Sequence, residues 1–116
     1  MRVFTNQAIG VDQGEETLFS EYQDGGDMWT GHGPRVRRRT VHFKRAFRAT
    51  PSVHISLSMW DMDHAGNGRV DLTTENVTEQ SFDAVFRTWE DTRIARARIR
   101  WMAIGPIAHA DDWELY

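Results

Sequence analysis

The chain contains no cysteine. That excludes disulfides, thiolate metal sites and cysteine nucleophiles, and leaves the redox compartment open. No apolar run is long enough to span a bilayer, so membrane insertion is not expected. Met1-Arg2-Val3-Phe4 is not followed by an apolar h-region, so no signal peptide is expected either. The five histidines, His32, His42, His54, His64 and His109, never pair at i, i+2 or i, i+4, so a histidine metal cluster is not indicated. There is no G-x-S-x-G, no P-loop and no H-E-x-x-H. Acidic residues are plentiful enough for a paired-carboxylate hydrolase, but 116 residues leave little room for a deep cleft. No enzyme is expected. A net charge of -3 gives no bulk attraction to nucleic acid or to a membrane surface. No stretch repeats with a helical period of 3.6.

What is present is a soluble globular composition, 40% hydrophobic and 27% charged, of one-domain length. Its dominant pattern is alternation. Val53, Ile55, Leu57 and Met59 alternate with His54, Ser56, Ser58 and Trp60 in the clearest strand. Phe82, Ala84, Phe86 and Thr88 oppose Asp83, Val85, Arg87 and Trp89 in another, and Ala97, Ile99, Trp101 and Ala103 oppose Arg96, Arg98, Arg100 and Met102 in the last. Glu15 to Tyr22 suggests a first strand, after an arm or short strand over 1–13. Val41, Phe43 and Phe47 suggest a second, and Arg69 to Thr74 one after the clearest strand. Pro51 and Gly105-Pro106 read as strand stops. Five or six short strands joined by turns predict an all-β, antiparallel sandwich. One face carries the apolar residues. The other carries His54, Trp60, Arg69, Arg87, Trp89 and the alternating arginines, and this Trp and Arg content predicts partial cover by a second copy or partner. Trp101 reads as core.

Residues 24–34 form a loop rich in Gly and Asp around Trp29, either pinned to the core by that ring or shaped to approach a ligand. Asp61 to Gly68 resembles the start of a calcium loop. It has Ala65 where a ligand is wanted and Leu72 where the bidentate Glu falls, so a polar turn is preferred, with calcium as the alternative. Asn76-Val77-Thr78 matches the glycosylation pattern and reads as a turn. Arg96, Arg98 and Arg100 read as ion-pair partners of Asp71, Asp83 or Glu90 rather than as a nucleic-acid stripe.

Thr88-Trp89-Glu90-Asp91-Thr92 puts an aromatic plate beside charged groups at a strand end. That arrangement suits a sugar ring or an ordinary protein interface. With Phe43-x-x-x-Phe47, Pro51-x-Val53-x-Ile55-x-Leu57, Arg69-Val70, Asn76-Val77-Thr78 before Phe82, and Trp101-x-Ala103-Ile104-Gly105, it resembles the H-type lectin domain of the snail agglutinins and discoidins. The resemblance runs from about Val41 to Gly105. It implies a six-stranded H-type lectin-like sandwich assembling as a trimer or hexamer. It further implies shallow galactose or N-acetylgalactosamine sites between protomers, with Arg69, Trp89 and Glu90 contacting the sugar and Gly31 and His32 matching the family's first binding loop. Glu90 stands where the family has His, which bears on galactose preference. The implied division is an N-terminal segment with the first loop (1–35), a lectin-like core (36–106) and an acidic aromatic tail (107–116), all within one domain. The implied partners are cell-surface glycans or polysaccharide and further copies of the chain, with an extracellular or particle-associated setting for an adhesin. The alternative is a structural trimerisation module, or a phage-tail-like component, that keeps the fold without binding sugar.

Overall fold

A computed structural model describes residues 1–109. The acidic tail from residue 110 onward lies outside the described residues. The elements are β1 (Ala8–Ser20), a single helical turn α1 (Asp27–Thr30), β2 (Arg35–His42), β3 (Ser52–Met62), β4 (Asp71–Glu75), β5 (Ser81–Thr88) and β6 (Ile94–Ile107). They build two antiparallel three-stranded sheets, in the orders β1-β6-β3 and β2-β5-β4. This is the antiparallel sandwich expected from the alternation, with the six strands that the resemblance implies.

The central strands β5 and β6 supply most of the core. Phe82, Ala84 and Phe86 come from one sheet, and Ala97, Ile99, Trp101 and Ala103 from the other, all buried. Phe43 and Phe47, which follow β2, close one end of this core. Their rings sit 5.0 Å apart, and Phe82 lies 5.4 Å from Trp101. Each such side chain contributes about 1.5–3 kcal/mol by leaving water, which is why the alternation of β5 and β6 is so clean.

Three strands depart from the sequence reading, each for a physical reason. β1 begins at Ala8, so the short strand allowed within 1–13 and the strand expected from Glu15 are one element, hidden because its polarity is reversed there. Ile9 and Val11 are exposed while Gly10 faces Ile107 and Phe47, and Gly14 faces Trp101. β2 begins at Arg35 rather than near Val41. Arg37 and Arg39 pair in register with the inward residues Phe86 and Ala84, but they lie on an edge strand and reach Glu21 and Glu16 beside it. β6 runs through Gly105 and Pro106 instead of stopping there. Its pairing with β3 ends at Ile104, so no strand on that side asks Pro106 for an amide proton, and its carbonyl accepts the Arg48 amide at 2.8 Å instead. Arg69 and Val70 precede β4 rather than belonging to it.

The supposed single Trp- and Arg-rich face is two surfaces. His54, Trp60, Arg96, Arg98 and Arg100 belong to the β1-β6-β3 sheet, whereas Arg87 belongs to the β2-β5-β4 sheet with Trp89 just beyond it. The three alternating arginines are ion-paired as expected in kind, with different partners. Arg96 meets Asp61 at 3.3 Å, while Arg98 and Arg100 share Glu15 at 3.0 and 2.7 Å.

Candidate functional site

One end of the sandwich gathers three connections: the loop carrying α1, the stretch before β4, and the Trp89–Arg93 turn between β5 and β6. Two buried threonines join the last two. Thr88 Oγ1 donates to the Arg69 carbonyl; Thr92 Oγ1 donates to the Asn67 carbonyl and accepts the Arg69 amide. Buried hydroxyls need such partners, which explains a Thr on either side of Trp-Glu-Asp. Between them Glu90 takes a left-handed φ of 59° and leaves its side chain exposed.

The α1 loop is held from inside and from both flanks. Met28 is fully buried and acts as its anchor, whereas Trp29, for which that role is one of the two the sequence allows, is only partly buried. Trp29 stacks under the Arg93 guanidinium at 4.7 Å and meets Tyr22 edge-on. Arg93 also donates to the Trp29 carbonyl at 2.7 Å and to Asp63 at 3.3 Å. Arg35, 9% exposed, donates from Nε to the Gly33 carbonyl, from one terminal nitrogen to the Asp27 and Met28 carbonyls, and from the other to the Glu90 carbonyl. The Gly33 amide donates to that same Glu90 carbonyl at 3.0 Å. Gly33 has φ 77°, and a Cβ at Gly31 would collide with the Asp27 carbonyl oxygen.

Gly31, His32, Trp89 and Glu90 are therefore brought to one end, through the Gly33–Glu90 bond. His32 is exposed; Gly31 serves the close turn behind α1. Trp89 is 39% exposed and walls a hollow of about 300 Å³ with Pro34, Arg35, Val36, Arg87 and Thr88. Arg69 is not in that wall. Its guanidinium is ion-paired with Asp91, and the Asp91 carboxyl is held below its usual range chiefly by that hydrogen bond. Arg87, which sequence reasoning did not assign to the site, is neutralised by Glu75 at 2.8 Å. Its register partner Val36, an apolar residue within a run of arginines, was the available signal for this wall.

The calcium alternative finds no support in the donor set. Asp61 pairs with Arg96, and Asp63 pairs with Arg93 while accepting the Ala65 amide. Among the described residues no three acidic or histidine side chains converge on a common point. Asn76 forms a turn, its side-chain amide bonded to Asp83 at 2.9 Å. No helix among the described residues is long and apolar enough to cross a membrane.

Residues 38–104 match the family model of the H-type lectin domain. The chain belongs to the H-type lectin domain family. This H-type lectin domain is 54% identical over 108 residues to the protein named ATP synthase subunits region ORF 7 of Fuscovulum blasticum, covering 93% of this chain and 94% of that one. It is 31% identical over 75 residues to discoidin-1 of Dictyostelium discoideum, covering 64% of this chain and 30% of that one. Two structures of Dictyostelium discoideum discoidin II, the recombinant and the wild-type protein, superpose with TM-scores of 0.76 and 0.75 at 24% identity, covering 93% and 90% of this chain. At that identity they establish the shared fold alone. The chain spans 40% of the discoidin II chains it matches.

Proposed function

We propose that this protein is a non-catalytic carbohydrate-binding lectin. It takes galactose, N-acetylgalactosamine or a related glycan at protomer interfaces of a homotrimer. The observation that carries this reading is the half-exposed Trp89 ring at the mouth of an open hollow, beside the loop bearing His32. The ring covers the apolar face of a sugar. The exposed Glu90 and His32 offer directional hydrogen bonds to hydroxyls, with the stronger ones made by charged groups. On this reading a neighbouring protomer completes the site, and the Arg69–Asp91 pair is the charged group offered to it. A shallow site of this kind binds at about the millimolar level, or about 4 kcal/mol.

Oligomerisation is supported by the outer surface of the β1-β6-β3 sheet. Ile9, Val11, Met102 and Ile104 are all exposed there, and Val11 and Ile104 are register partners. Contiguous exposed apolar groups of this sort mark interaction surfaces.

A second reading, a trimerisation module without sugar binding, is favoured by one observation: the Arg69 guanidinium is spent on Asp91 instead of facing the hollow. A glycan array run with calcium and with chelator separates the two. Selective, chelator-insensitive binding that is lost in Trp89→Ala supports the lectin. Silence from a folded trimer supports the module.

A further inference from the structure

We infer that Arg35 is the positioning residue of the binding edge: it presets the α1 loop against the Trp89–Glu90 turn, so that the two halves of the site meet a glycan already assembled. This rests on the lectin reading above.

Arg35 is placed to hold the two halves of the site together. The side chain is nine-tenths buried, yet it donates to four backbone carbonyls, those of Asp27, Met28, Gly33 and Glu90. Burial of a charge in this way is unfavourable, and desolvation lowers its pKa from the usual value. An apolar residue would suit the inward side of a strand end better. The sheet itself has little need of the guanidinium, since Arg35 pairs only with Thr88 at the end of a ladder that continues from Val36 to His42. What the guanidinium does is join carbonyls on the α1 loop to one 55 residues later in the chain. A planar group with five N–H donors reaches acceptors in divergent directions, which an ammonium does not. Its bond to the Glu90 carbonyl is shared with the Gly33 amide, so one oxygen ties the Gly33 side of the loop to the turn of Trp89, while Arg93 ties the Trp29 side.

Preorganisation has a kinetic signature. If only a fraction of molecules hold the competent arrangement, apparent affinity falls by that fraction. The loss then appears in association, while dissociation from the assembled site is unchanged. Loss of a direct contact instead raises dissociation.

The test uses Arg35→Met and Arg35→Lys beside Trp89→Ala, on a surface bearing N-acetylgalactosamine. The expected result for Arg35→Met is an association rate down about tenfold with an unchanged dissociation rate, whereas Trp89→Ala dissociates faster. Amide exchange should quicken at Gly33 by about tenfold and stay as in the parent at Phe86 and Ile99. Arg35→Lys falls between, because one ammonium cannot bridge both segments. If Arg35→Met does not fold, Arg35→Lys decides by the same two readings. Retained Gly33 protection overturns the clamp. Lost protection with unchanged binding overturns its role in the site. A parent that ignores the sugar surface refutes the glycan assignment, and the exchange experiment then decides the clamp alone.

Discussion

At the scale of single residues, the Trp89 ring and the Arg69–Asp91 pair make opposite demands on experiment. Trp89 is half-exposed and its ring has nothing to hold up in the core, so Trp89→Ala should leave stability within about 0.5 kcal/mol. It should weaken glycan binding at least tenfold, a loss of about 1.4 kcal/mol. Titration calorimetry beside a thermal melt reads both. Arg69→Ala should also weaken binding while leaving the protein folded, and it moves the Asp91 pKa up toward its ordinary range, which a carbon-detected NMR titration follows. If both variants bind like the parent, the glycan lies elsewhere. Trp89 and Glu90 stand out in the sequence because a short motif carries them, and the structure places that motif at the turn after β5, whereas Arg69 lies outside the wall of the hollow. Arg35 and Val36 do not stand out. Both sit in an arginine-rich run whose inward charges imitate a solvated face, and nothing in a linear pattern reports that a guanidinium is capped by carbonyls of two distant segments.

Among the elements, β5 is where packing and charge meet. Its inner face carries Phe82 against Trp101 and Phe43, fully buried, so Phe82→Ala should cost about 3–5 kcal/mol in denaturant unfolding. On its outer face Val85 is also fully buried. Arg38 of β2 reaches across the central strand to Glu75 of β4, and Arg87 meets the same carboxylate from farther along β5. Hydrogen bonds from Arg87 and then Arg38 lower the Glu75 pKa below its ordinary 4.5, and those from Asn76 and Thr40 lower that of Asp83 below 3.8. Depressed carboxylates add stability that is full above the unfolded values and vanishes as pH falls through the folded ones. Unfolding free energy should therefore hold steady down to about pH 5 and decline below about pH 4. Glu75→Gln should flatten part of that decline in acid-titrated denaturant curves. An unchanged acid slope in Glu75→Gln would count against the bridge. The strands that alternation revealed, β3, β5 and β6, are those with apolar residues inward. β1 and the start of β2 invert that rule with inward glycine and edge-reaching arginine, so the pattern leaves the first part of β1 as an arm or short strand and starts β2 too late.

For the molecule as a whole, the proposed trimer has a consequence for avidity. A trimer with three weak sites raises apparent affinity for a glycan-coated surface by roughly 10²–10⁴ without any new contact. Val11→Glu combined with Ile104→Glu should charge the exposed patch of the β1-β6-β3 sheet and shift sedimentation from trimer to monomer, with circular dichroism unchanged. Such a monomer should bind free sugar like the parent if its site is complete in one chain, and poorly if a neighbour supplies part of it. Persistence of the trimer would move the interface away from this patch.

The order of strands also governs how the molecule comes into being on the ribosome. The β2-β5-β4 sheet closes once Thr88 has been made. In the other sheet, β6 lies between β1 and β3 and is the last of the six strands to be synthesised. Until it arrives, the two flanking strands have no partner between them, and each presents an open row of amides and carbonyls to any neighbouring chain. The nascent protein is thus most exposed to mispairing with its siblings after β5 has emerged and before β6 has.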